Sequence, residues 1–193
     1  MSTTPAVRAV LLTGVPGSGK STAGRLLAQR LTAALLDLDT ATEALTGVVA
    51  DLVGISDLHD PHLASLTRTH RYETLTLLAE ENLRLGLSVV LVAPFSTERR
   101  DGEARRQLFE RLRGAGGAPS LVWLDLAPPE VLNRLRRRGA MRDAEKLADQ
   151  ASVLAWKSVP PVGDHLAVDA AQAPDAIIAT VLAFLATHGA DGG

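Results

Sequence analysis

Eight consecutive residues, Gly14-Val15-Pro16-Gly17-Ser18-Gly19-Lys20-Ser21, fit the spacing GxxxxGK[ST], and each residue type in that spacing has a chemical reason. Glycine lets the backbone bend until successive N–H groups point inward. A helix starting where the loop ends adds its partial positive charge, so a polyphosphate exchanges its water shell for fixed donors. Lys20 is expected to reach the β- and γ-phosphates, and the Ser21 hydroxyl to ligate a Mg²⁺ ion that bridges two of them. Thr22 follows, placed near the α-phosphate. Downstream stand two carboxylates in Leu35-Leu36-Asp37-Leu38-Asp39. At the C-terminal edge of a strand beside a phosphate loop, such a pair faces both a metal and an attacking oxygen. The alternative is an exposed strand end with one acid capping the next helix.

These residues need elements to hold them. Val7 to Thr13 is a continuous β-rich apolar run, as expected of a strand buried on both faces. The pattern turns helical from Lys20, with Leu26, Leu27, Ala28 and Leu31 on one side. A second strand is expected at Ala34 to Leu36, and Thr40 with Glu43 reads as the capping box of the next helix. Residues 61 to 86 read as a long helix ended by Gly86, and Ser88 to Val92 as the third strand. Asp101 to Arg113 reads as a charged surface helix, Leu121 to Leu126 as the fourth strand, and Pro128 to Arg138 as the helix after it. A fifth strand fits Leu166 to Val168, and Pro174 opens a final helix with a stripe of Ile177, Ile178, Val181, Leu182 and Leu185. Strands alternating with helices predict an α/β class, a parallel sheet covered on both faces. No repeat or low-complexity linker divides the chain, so residues 1–193 are expected to form a single domain with a flexible tail at 189–193.

From residue 9 to 47 the chain resembles shikimate kinase, through the GxPGSGKST loop, the acid pair and Glu43-Ala-Leu-Thr-Gly47. The resemblance implies a P-loop kinase fold with strand order 2-3-1-4-5, ATP and Mg²⁺ as cofactors, Asp37 near the metal and Asp39 on the acceptor hydroxyl as base. That family carries a Gly-Gly-Gly segment after its third strand for the acid substrate. This chain reads Val89-Val-Leu-Val-Ala-Pro-Phe95 there, so substrate identity is not carried over. Arg71-Tyr-Glu73 and the stretch from Gly86 to Phe95 are more similar to zeta-toxin, polynucleotide-kinase and antibiotic-phosphotransferase relatives, often described simply as AAA-type ATP-binding proteins. Many of those have an Asp within the third strand, where this chain has Val92. The metal-side carboxylate is then Asp37. The resemblance also turns Arg71 and Glu73 toward the acceptor pocket, where Arg71 would clamp a carboxylate, phosphate or sugar hydroxyl; solvated or intrahelical charge is the other reading of both. The segment from Leu126 to Lys146 looks like the helix and lid of this kinase class, with 139–149 as the lid. Arg134, Arg138 and Arg142 are its candidate guanidiniums over ATP, Arg138 as the catalytic one.

Composition narrows the remaining choices. With 20 basic and 22 acidic side chains the formal charge is −2, and aromatics make up 3%, which leaves little for nucleic-acid binding by charge or base stacking. No cysteine is present, which excludes a thiol nucleophile and a cysteine-ligated metal. No apolar run approaches membrane-spanning length, and the start of the chain lacks the pattern of a secretory signal, so a cytoplasmic place is expected. His59-Asp-Pro-His62 lacks further ligands and reads as a loop; Trp123 reads as core, Trp156 as filler, Asp125 as structural, and Asp164-His165 as a loop pair. Arg99-Arg100-Asp101 reads either as a contact to substrate phosphate or as a surface cluster at a helix start. The expected activity is transfer of the γ-phosphoryl group of Mg-ATP to a hydroxyl of an unidentified small molecule, by a monomer or homodimer. The alternatives are a regulatory ATP- or GTP-hydrolysing protein without such an acceptor, and a polynucleotide or nucleoside kinase.

Overall fold

The structure, a computed structural model, describes residues 6–58, 60–138 and 159–188. Five strands, β1 (Arg8–Gly14), β2 (Ala34–Asp37), β3 (Val89–Val92), β4 (Ala118–Asp125) and β5 (Leu166–Asp169), form one parallel sheet in the order 2-3-1-4-5. Six helices lie among the described residues: α1 (Lys20–Leu31), α2 (Leu38–Val53), α3 (Pro61–Arg84), α4 (Gly102–Gly114), α5 (Pro128–Arg138) and α6 (Pro174–His188). Fold class and strand order are those expected. The lid at 139–149 and the tail at 189–193 fall outside the described residues.

The sheet divides two cores. Val10, Leu12, Val90 and Val122 pack with Leu27 of α1, Leu135 of α5 and Ile178 and Val181 of α6. Ala9, Leu11, Leu91 and Leu121 pack with Leu75, Ala79 and Leu83 of α3 and Leu112 of α4. Alternation along the strands therefore sends successive apolar residues to opposite layers, which is why β1 and β3 read as unbroken apolar runs.

Element ends follow local chemistry. Asp60 caps α3, accepting from the N–H groups of His62 (2.7 Å) and Leu63 (3.2 Å), with Pro61 at a position that needs no donor. Asp101 does the same for α4 through Glu103 (2.9 Å) and Ala104 (3.3 Å). The expected Thr40 cap is corrected. Helix α2 starts at Leu38, and the carboxylate of Asp37 accepts from the N–H groups of Asp39 (3.1 Å) and Thr40 (3.5 Å). The strand runs straight into the helix, so the acid at the junction is the first acceptor the orphan donors meet. Strand β4 starts at Ala118, three residues before the expected Leu121, because Ala118-Pro-Ser pairs with β1 although it carries no apolar β-rich signal.

This order fixes the site. Strand β3 lies between β1 and β2, with Val92 opposite Leu12 on one side and Asp37 on the other. The loop leaving β1 and the acid pair leaving β2 therefore flank the C-terminal end of β3, the edge where parallel α/β sheets bind ligands.

Candidate active site

The loop after β1 is shaped by backbone that only glycine adopts readily. Gly17 and Gly19 have φ of 77° and 86°, in the left-handed region where a side chain is strained. The N–H of Ser18 donates to the carbonyl of Val15 (3.1 Å) and closes the turn, and the N–H of Ala23 donates to Gly19 (2.9 Å) and opens α1. The Lys20 ammonium donates to the carbonyls of Gly14 (3.0 Å) and Val15 (2.9 Å), which holds it over the loop. The buried Ser18 hydroxyl has no hydrogen-bond partner among the described residues.

The acid pair divides its contacts. One oxygen of Asp37 caps α2, while the other accepts from the Ser21 hydroxyl at 2.9 Å. A hydroxyl and a carboxylate oxygen brought together at a phosphate loop are hard oxygen donors that suit Mg²⁺. Asp39 accepts from Arg71 at 2.7 Å, and the same guanidinium donates through Nε to the Thr42 hydroxyl at 2.8 Å. The side chain of Asp39 is 66% exposed, so it faces the cavity and not the core.

A cavity of about 410 Å³ gathers these groups. The loop residues Pro16, Gly17, Gly19, Lys20, Ser21 and Thr22 line it together with Asp37, Asp39, Arg71, Val92, Ala93 and Pro94. Glu73, read with Arg71 as facing the pocket, does not. It pairs with Arg111 of α4 at 2.8 Å, which holds its carboxyl below the usual range. Residues two apart on a helix point in nearly opposite directions, so only one of the two could enter the cavity.

Lining residues that carried no expectation of cavity contact include Arg25, Leu38, Glu43, Thr46 and Leu58. Helical spacing could have found three of them. Arg25 stands four residues after Ser21 on α1, and Glu43 and Thr46 stand four and seven after Asp39 on α2.

Elsewhere the placements are mixed. Arg134 lies at the loop's margin, donating to the carbonyls of Gly17 (3.5 Å) and Ala170 (2.9 Å) and to Glu130 (3.1 Å). Arg138 ends α5, and Arg142, Trp156 and His59 lie outside the described residues. Arg99 is neither a substrate contact nor a surface residue. It is 3% exposed, its guanidinium 4.5 Å from the ring centre of Trp123, and burial lowers its pKa. Trp123 is core, at 2% exposure. Asp125 does not line the cavity. The His165 ring meets the carbonyl of Gly163 at 2.8 Å.

Comparison with known proteins gives the family and the likeness of fold. The AAA domain family matches residues 10–160. A shikimate kinase of Corynebacterium diphtheriae is 28% identical over 187 residues, 92% of this chain and 94% of that enzyme. A shikimate kinase of Corynebacterium glutamicum is 32% identical over 125 residues, 65% of this chain and 62% of that enzyme's length. Among solved structures, the APS kinase CysC of Mycobacterium tuberculosis, in complex with AMPPNP and APS, superposes with a TM-score of 0.62 at 21% identity. That alignment covers 95% of this chain and 99% of the other, a likeness of fold.

Proposed function

The chain belongs to the AAA domain family, and from that membership we propose that it is a kinase moving the γ-phosphoryl group of ATP to a hydroxyl of a small molecule. The observation that carries the proposal is the meeting, in one cavity, of Lys20 and Ser21 from the loop with Asp37 and the Asp39–Arg71 pair. The kinase relatives support it.

The loop N–H groups and Lys20 bind the β- and γ-phosphates and fix the phosphorus in line with the acceptor. Magnesium, when bound, offsets the charge of the phosphates during transfer, and Ser21 and Asp37 would hold it. Asp39 accepts a hydrogen bond from the acceptor hydroxyl and takes its proton as the oxygen attacks. The new P–O bond forms while the bond from the γ-phosphorus to the β,γ-bridging oxygen breaks, and ADP leaves with that electron pair. Arg71 orients the Asp39 carboxylate so that one oxygen stays available to the acceptor. Arg134, next to the carbonyl of Gly17, is the guanidinium we assign to the phosphates, and Arg138 and Arg142 follow it in the chain. No helix among the described residues is long and apolar enough to cross a membrane.

The test is ADP release from Mg-ATP across sugars, nucleosides, antibiotics and hydroxy acids. At least one class should stimulate release, and Lys20→Ala should abolish the stimulation while leaving the circular dichroism spectrum unchanged. Stimulated turnover at the parent rate in Lys20→Ala would overturn the proposal. A panel without any stimulation would favour the regulatory nucleotide-hydrolysing alternative.

A further inference from the structure

The cavity surface between the phosphate loop and the acid pair is the end of β3, Val92, followed by Ala93 and Pro94. From Ala93 to Phe95 no backbone donor is left for a ligand. The N–H of Ala93 donates to the carbonyl of Leu12 at 3.4 Å, Pro94 has none, and the N–H of Phe95 donates to the Tyr72 hydroxyl at 3.0 Å. The Pro94 carbonyl is engaged as well, accepting from the Thr13 hydroxyl at 2.7 Å. Phe95 holds a φ of 42°, a left-handed conformation that a bulky residue rarely adopts. Its side chain is buried, with its ring 5.9 Å from that of Tyr72 in an edge-on contact. A strained residue persists only where its surroundings hold it, and here the phenol is one of the holders. Leu38 and Leu58 add further apolar lining, whereas the polar lining comes from the loop, α1, the acid pair, α2 and Arg71.

Resting on the phosphotransfer reading, we infer that Val92–Pro94 is a specificity wall and that the acceptor is an alcohol with an apolar face, its hydroxyl flanked by an aryl or cycloalkyl group. A polyol or hydroxy acid would lose water at this wall and find no donor to replace it. Tyr72 is a positioning residue. By taking the N–H of Phe95 it keeps that donor from turning toward the acceptor and holds Pro94 in place.

The experiment compares two acceptor sets with Mg-ATP: 1-phenyl-1,2-ethanediol and cyclohexane-1,2-diol against glucose, gluconate and shikimate. The parent protein should favour the first set by about tenfold or more in kcat/KM, the scale of a pocket contact. Pro94→Ala, which supplies a backbone donor at the wall, should narrow that ratio. Tyr72→Phe should raise the KM of the favoured acceptor several-fold and leave the KM of ATP within about twofold. If Tyr72→Phe does not fold, Pro94→Ala decides alone. Equal or better use of the polyols and acids by the parent overturns the wall while phosphotransfer stands. A parent preference that Pro94→Ala leaves unchanged also overturns it. If neither set, nor any acceptor of the wider panel, is phosphorylated although ATP binds, the phosphotransfer reading fails and the wall falls with it.

Discussion

Tyr72 carries a titration that can be measured without knowing any substrate. Burial pushes its phenol from 10.0 up to about 12, and Glu98 adds to the rise, while Arg68 and the Phe95 N–H oppose it. The folded pKa thus lies above the unfolded one. Stability from this group is fully present below pH 10 and is lost as pH rises to about 12, because over that range the unfolded chain releases a proton the folded one keeps. The loss should reach about 2–3 kcal/mol. Denaturant melts at pH 9 to 12 should show this decline in the parent and a shallower one in Tyr72→Phe. Parallel declines would mean that other groups drive the alkaline loss. Such a residue was hard to see in the sequence: Arg71 and Glu73 on either side carry charge, and an unpaired tyrosine between them has no motif. The burial of Arg99 was equally hidden, since only the fold brings Trp123 beneath it.

Helix α1 packs close to strand β3 at Gly24, where an added Cβ would stand 2.5 Å from Val92 Cγ2. A buried methyl group on the strand cannot retreat, so Gly24→Ala must push α1 away from the sheet. Overpacking of this kind costs about 1–3 kcal/mol. The same displacement moves Ser21, one turn earlier, from Asp37. Gly24→Ala should therefore lower the melting temperature and also raise the Mg²⁺ concentration needed for tight ATP binding. A variant destabilised without any change in the Mg²⁺ titration would show that α1 does not set the metal-side geometry. At this scale the sequence was informative wherever an element announces itself by its own residues. β1, β3 and the loop between β1 and α1 did so by composition and spacing. The cap of α2 was open between Thr40 and one of the acid pair, and the N–H groups of Asp39 and Thr40 settle it on Asp37; the early start of β4 gave no signal, because Ala118 depends on the edge of β1.

Across the whole molecule, the parallel order 2-3-1-4-5 turns three separate sequence signals into one site, by placing the ends of β1, β2 and β3 side by side. The loop and the acid pair were legible in the sequence because their residue types and spacing carry the chemistry. The cavity wall and the inward turn of Arg25, Glu43 and Thr46 were not, since they arise from how helices pack over that edge. The central claim is a division of labour between two carboxylates: Asp37 for the metal, Asp39 for the acceptor proton. Its most direct measurement is ATP affinity against Mg²⁺ concentration together with acceptor-dependent ADP release, for Asp37→Asn and Asp39→Asn beside the parent. Asp39→Asn should bind Mg-ATP as the parent does and lose about 10²- to 10⁴-fold in kcat, the usual contribution of a general base. Asp37→Asn should need more Mg²⁺ for the same ATP affinity. Transfer by Asp39→Asn at the parent rate, or an unchanged Mg²⁺ requirement in Asp37→Asn, would contradict the division.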